Sequence, residues 1–411
     1  MSILRKIVNL QTQLPHSLLD PLKTFLNSQW FSEYILARAD KVTDYWGFKL
    51  TNHKKIRSKE DAALRLQTTN FTRWIILVSM GVVESVLTGD VSQISLHNFW
   101  LGYMEGSVKR ELMRDLTPRE TQARRTDWVL VSLLKAMMTH SSNIYQVLQS
   151  ITPTFLQVVF ADPTLWPDNS NVTHVPLSNI LALETHQLAF FALLDCTCAL
   201  AFGLPQQVEY NTTIYPQTSN SLWHQWTHSI PGDFQLILAA INACRDKSPV
   251  ARDWEDIEQW LLTWQPRLGE HTFTESWMTV AWYAVQESWR LALLVYLYLA
   301  VCDTPSDDPR IQSYIKQILQ VVRAVKKRGS EGNISFFVHY LVVGICARSE
   351  THRTVVRDKL SAHSETKLWL LRESDFVPVL DHLWHGAAVD GRPIKWSDYM
   401  RSREAILPIV P

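Results

Sequence analysis

The sequence predicts an all-α protein, a large multi-helix orthogonal bundle of about 13 helices with no significant β-sheet. Three observations predict it. Apolar residues recur every three or four positions through most of the 411 residues, the spacing that gives a helix one buried face. Period-two alternation of β-branched residues is scarce. The interruptions are short clusters of Gly, Pro, Asn, Asp and Ser rather than long polar linkers.

In chain order, the expected helices begin with 15–38 and 61–88, parted by the break at 47–58. Helices at 95–113, 119–139 and 142–160 follow, ended by Pro163, Pro167 and Pro176. The next, 178–202, carries a fifteen-residue apolar run from Leu188 to Phe202, broken by one carboxylate, Asp195, and stopped by Gly203-Leu204-Pro205. Pro231-Gly232-Asp233 opens 233–245, and 253–264 follows. In 274–302, Trp277, Ala281, Val285, Trp289, Ala292 and Tyr296 share one face. Ser306-Asp307-Asp308-Pro309 opens 309–328 with acceptors, negative charge and a proline, all suited to exposed helix amides. Arg323, Lys326, Lys327 and Arg328 close that helix before Gly329. The last expected helices are 333–347, 350–361 and 375–385. Residues 1–60 read as an N-terminal arm with one helix and a basic loop. Residues 61–400 read as the helical body, in two lobes parted near residue 170, and 401–411 as a C-terminal tail.

The formal net charge is zero, so no global field draws the chain to nucleic acid or an anionic membrane. The five cysteines, Cys196, Cys198, Cys244, Cys302 and Cys346, lie in or beside apolar segments without disulfide-like spacing, which favours a reducing compartment. No apolar run reaches the length of a membrane span, and the first residues lack the apolar core of a signal peptide.

Candidate chemistry is sparse. His224 and His228 stand four apart, the spacing of a zinc-protease helix, but Gln225 occupies the place of the general base, and an amide cannot take a proton from metal-bound water. His382 and His385 are three apart, and a capping or hydrogen-bonding role fits both pairs better than a metal. Cys196 and Cys198 lack the second pair a zinc site needs. Asp307-Asp308 reads as a helix start. Asp195, buried in its apolar run, must find donors or titrate upward; an anchor to backbone, Trp or Tyr donors is the favoured reading over a ligand-orienting acid. Lys54, Lys55, Arg57 and Lys59 form a basic cluster that fits either a nuclear-import signal or a solvated loop. No catalytic, cofactor-binding, DNA-binding or metal-binding residue is assigned. Nucleotide-binding glycine loops and the nucleophile elbow are missing.

The stretch from Phe191 through Asp195, Gly203-Leu204-Pro205 and Tyr210 resembles the regulatory domain of fungal-specific transcription factors of the basidiomycete type. Further matches follow in order: Trp226 to Pro231 with Leu238 to Asn242; Trp289 to Tyr296; Asp308-Pro309-Arg310; Phe336 to Gly344; Leu383-Trp384 and Trp396. Upstream, Pro153 to Gln157 and Leu165 to Pro167 extend the resemblance to roughly residues 65–400. It implies an all-helical, non-catalytic regulatory domain of a nuclear regulator of RNA polymerase II transcription, without a cofactor; contact with partners, with binding of a small apolar effector between helices as a further expectation, is its expected mode of action. Asp195, Gly203, Pro205, Tyr210, Trp289, Tyr296 and Arg310 are then structural residues of the family pattern. The expected partners are other transcription regulators or coactivators, with a homodimer as an alternative, DNA reached only indirectly, and no membrane. In the family the domain follows a binuclear zinc cluster held by six cysteines. Here no cysteine precedes Cys196, so this sequence departs from the pattern, either by truncation or by acting through partners. The alternatives outside the family are an α-helical enzyme with an apolar pocket and a cytoplasmic scaffold or adaptor.

Overall fold

A computed structural model of the protein describes residues 26–44, 48, 70–88, 91–166, 173–183, 186–213, 225, 228–266, 272–326, 334–362 and 371–409. Among these the chain is all-α. Its 15 α-helices are accompanied by one two-residue parallel ladder, β1 (Val175–Pro176) against β2 (Tyr210–Asn211).

The first four helices are α1 (Gln29–Asp44), α2 (Asn70–Thr88), α3 (Ile94–Leu112) and α4 (Pro118–Met138). Ser28 sets the start of α1, its hydroxyl accepting from the Phe31 amide at 3.2 Å. Of the expected helix 15–38, residues 15–25 lie outside the described residues, and α1 runs on past 38 to Asp44, since no Gly or Pro interrupts it before then. At α4 the Thr117 hydroxyl and the Glu120 carboxylate each satisfy the other's backbone amide, with Pro118 in the first turn, a reciprocal cap that fixes where the helix starts.

Next come α5 (Ser141–Phe160), α6 (Leu177–Ala182) and α7 (His186–Phe202). The sequence reading joined the last two over 178–202. The chain instead leaves helical geometry at Leu183 (φ −64°, ψ 149°), a break that apolar periodicity does not reveal. Every residue of α7 from Gln187 to Phe202 is buried. Helices α4, α5, α6, α8 (Gly232–Arg245) and α12 (Phe337–Cys346) all pack against it. A helix that is apolar all round must be covered all round, and this one is the axis of the fold.

Helices α9 (Trp254–Thr263) and α10 (Ser276–Ala300) pack on the far side of α8, and α11 (Pro309–Lys326) lies along α10. The chain closes with α13 (Glu350–Ser361), α14 (Val377–His385) and α15 (Trp396–Ile406). The last corrects the expected tail at 401–411: Asp398 accepts from the Lys395 amide at 2.8 Å, and Trp396, Tyr399 and Arg403 are buried on one face.

Two apolar clusters fill the interior. Among the described residues the larger draws on the chain from Val129 to Leu407 and also takes in Phe48. The smaller joins α1, α2 and α3 to one face of α4. The two clusters meet along α4, whose Leu133 faces the larger core and Leu134 the smaller. Phe48, from the expected arm, is fully buried and meets Trp282 edge-on at 5.0 Å between ring centroids.

Candidate functional site

The C-terminal end of α7 gathers five of the residues singled out in the sequence. Asp195 accepts from the Gln207 amide at 2.8 Å, the Val208 amide at 3.3 Å and the Tyr210 hydroxyl at 3.0 Å. The loop leaving the helix thereby folds back and hangs its own backbone on the helix's one carboxylate. Complete burial pushes the Asp195 carboxyl up, against the three hydrogen bonds that favour its ionised form, and the outcome is about 7.

Gly203 makes the turn between them. Its φ is +62°, and a Cβ there would stand 2.0 Å from the Met400 sulfur, so both the backbone conformation and the space demand glycine. Pro205 follows, its carbonyl accepting from the Tyr145 hydroxyl at 3.0 Å.

The carbonyls left open at this helix end are met from elsewhere in the chain. Arg245, in the last turn of α8, donates to Ala199 O and Leu204 O, both at 2.6 Å, and to the Tyr296 hydroxyl at 2.9 Å. Its Nε and Nη2 hold Asp246 through both carboxylate oxygens. The Tyr296 hydroxyl donates to Asn242 Oδ1 at 2.7 Å, and the Asn242 amide donates to Cys196 O at 3.0 Å. Tyr399 donates to Ala201 O at 2.5 Å. A guanidinium among helix-end carbonyls is favoured by hydrogen bonding and by the helix dipole. Burial pushes the Tyr296 phenol up to about 12. This network joins α7, α8, α10 and α15.

A family model, fungal specific transcription factor domain, matches residues 183–409, more than half of the chain. The chain belongs to this family. The matched segment holds α7 to α15 and the whole α7-end network apart from Tyr145, whereas the resemblance read from the sequence extended upstream to about residue 65. No curated protein and no solved structure matches the chain.

Two other residues of the family pattern lie apart from that network. Trp289 donates to the Ser229 carbonyl at 3.0 Å, and Ser229 itself is held at φ +54°. Arg310 pairs with Asp308 and lies 4.4 Å from the Tyr298 ring centroid. Tyr298 in turn donates to Glu258 at 2.5 Å, so Arg310 ties the start of α11 to α10 and α9.

Among the described residues the candidate metal ligands make other contacts. His228 stacks on His186 and Phe190 at centroid distances of 5.5 and 5.1 Å; His224 lies outside the described residues. His382 bonds Ser402 while His385 bonds the Asp381 carbonyl. Cys196 and Cys198 are fully buried, and burial pushes both thiols well up. Among the described residues no group of three His, Cys, Asp or Glu side chains is placed to hold a metal ion, and no helix is long and apolar enough to cross a membrane. Lys54, Lys55, Arg57 and Lys59 lie outside the described residues.

Sequence reasoning missed two surface features. One is a cavity of about 520 Å³ between the β1–β2 ladder and α9, lined among others by His174, Tyr210, Thr212, Val250, Arg252 and Trp260. Its lining comes from three separated segments, and only Tyr210 carried a sequence signal. The other is an aromatic ridge on α3. Phe99 is 64% exposed and Tyr103 53% exposed. Both meet Trp100 edge-on, at 5.9 and 6.0 Å, and Tyr103 also meets Trp74 at 5.4 Å.

Proposed function

We propose that this chain is the non-catalytic regulatory part of a nuclear regulator of RNA polymerase II transcription, which works by contact with other regulators or coactivators and reaches DNA through them. The observation that carries the reading is the family match over α7 to α15. The zero formal charge supports indirect access to DNA, since phosphate binding draws on an excess of cations. Partner contact is assigned to the α3 ridge. Large exposed aromatics backed by fixed edge-on tryptophans are the anchor type enriched at protein interfaces, and Phe99 and Tyr103 stand on one face, four residues apart.

Fusion of residues 1–411 to an unrelated DNA-binding head tests this. The fusion is expected to move a reporter away from the level set by the head alone, and Phe99→Ala with Tyr103→Ala to return it there at unchanged protein abundance. An abundant nuclear fusion that leaves the reporter at the level of the head would overturn the reading. Neutralising Lys54, Lys55, Arg57 and Lys59 in a tagged protein tests the nuclear assignment, and the expected result is loss of nuclear accumulation.

A further inference from the structure

We propose that the cavity beside the β1–β2 ladder binds a small organic acid, a monocarboxylate with an apolar or aromatic body. What such binding does rests on the regulatory reading above; the binding itself does not.

The argument begins with Arg252. Its side chain lines the cavity and, among the described residues, makes no ion pair or hydrogen bond; its backbone carbonyl is occupied, accepting from the Cys244 thiol at 2.9 Å. Several buried or half-buried arginines elsewhere in this protein are matched: Arg124 to Asp127, Arg245 to Asp246, Arg290 to Glu287, Arg353 to Glu350. Arg252 instead offers a planar fork of donors to the open space, and that fork matches a carboxylate through two parallel hydrogen bonds.

The surrounding walls narrow the class. Trp260 and Val250 give the cavity an apolar side, and Trp260 is held in place edge-on against Phe234 at 6.0 Å. Tyr210 presents its ring alone, because its hydroxyl is committed to Asp195. Thr212 and Thr213 add hydroxyls for a polar group on the ligand body. The volume of about 520 Å³ lies within the range of small-molecule sites. A doubly charged phosphate fits less well. The second cationic candidate, His174, is already matched, with Nε2 3.6 Å from the Glu209 carboxylate and Nδ1 2.8 Å from the Thr173 hydroxyl. Glu209 also adds a negative charge beside the site. One unmatched cation calls for one negative charge. The sequence reading expected a small apolar effector; the guanidinium beside the apolar wall makes an acid with an apolar body the better occupant.

The position also gives the ligand a route to the core. The strand that bears Tyr210 is suspended from Asp195 by three hydrogen bonds. A molecule seated on Tyr210 therefore sits against the residue whose hydroxyl ties the ladder to the axial helix.

The test is a panel of aliphatic and aromatic monocarboxylates, the neutral amide of each, and inorganic phosphate. Thermal shift screens the purified 411-residue chain, followed by calorimetric titration of what binds. The expected result is one-to-one binding of at least one acid, with its amide and phosphate weaker by about tenfold or more, the loss that follows from removing a hydrogen-bonded charge. Arg252→Gln should weaken the acid by a similar factor, Arg252→Lys by less. Trp260→Leu should weaken binding while keeping the preference for acid over amide. Because Arg252 bonds nothing through its side chain among the described residues, Arg252→Gln is expected to melt with the parent. Absence of saturable binding by every acid in the panel overturns the proposal, and so does equal binding by the parent and Arg252→Gln. Acid binding with an inert reporter fusion sinks the regulatory reading alone. A working fusion with no acid binding sinks the cavity proposal alone.

Discussion

Asp195 and His339 show how single buried groups set the pH response. Asp195 titrates at about 7 against an ordinary 3.8. Between those values the folded chain holds a proton that the unfolded chain has lost. Stability from this group is full below about 4 and lost as pH rises toward 7. His339 runs the other way. Ser288 spends its hydroxyl proton on Val285 O at 2.8 Å, so it accepts from His339 Nε2 at 3.0 Å. The bare Nδ1 is buried without a partner, and burial lowers the imidazole from 6.5 to about 3. Its contribution is full above 6.5 and lost as pH falls toward 3. The two slopes oppose each other between about pH 4 and 6.5. Asp195→Asn should expose the histidine slope, with unfolding free energy rising by roughly 1 kcal/mol per pH unit across that window. His339→Phe should expose the opposite slope. Urea unfolding at a series of pH values measures both, and an unchanged slope in Asp195→Asn would sink the assignment. The demand for donors at Asp195 was legible, because a lone carboxylate in an apolar run needs them. Which donors answer was not, because they lie in the returning loop. His339 gave no sequence signal, since nothing in Phe336 to Gly344 shows that its ring is buried.

The end of α7 rests on two devices, a glycine turn and borrowed donors. Gly203→Ala places a methyl against Met400 and forces a side chain into the left-handed region. The expected cost is about 2–4 kcal/mol, of which Met400→Ala in the same chain should restore the overlap part and leave roughly 1 kcal/mol of backbone strain. A double-mutant cycle on midpoint denaturant concentrations separates the two. Arg245→Ala strands two carbonyls and Asp246 at once, with an expected loss of about 3 kcal/mol or more, whereas Tyr399→Phe removes one bond at about 1 kcal/mol. The Gly203-Leu204-Pro205 stop was plain in the sequence. Arg245 and Tyr399 were not, because the chain brings them from 41 and 198 residues away. α15 was missed for a related reason. Its buried face is made by Trp396, Tyr399 and Arg403, and a face built of aromatic and basic residues does not register as an apolar stripe.

For the molecule as a whole, the shared helix α4 decides how it comes apart. Leu133 and Leu134 are adjacent in sequence, yet each is buried in a different core. Two cores that unfolded independently would give steps that separate the two substitutions. Two cores that own opposite faces of one helix lose it together. Leu133→Ala and Leu134→Ala should each cost about 2–5 kcal/mol and move the same transition, with circular dichroism and tryptophan fluorescence coincident. Two transitions, each sensitive to one substitution, would refute the coupling. The fold class was legible throughout, because periodicity reports burial of a helix face. The division of the core was not, because periodicity does not say which neighbour covers which face, and α4 is covered on two.

The axial helix α7 has no side that touches solvent. Its amide hydrogens can therefore meet deuterium only when the surrounding layer has come away, which makes them the slowest in the chain to exchange and a direct gauge of its global opening free energy.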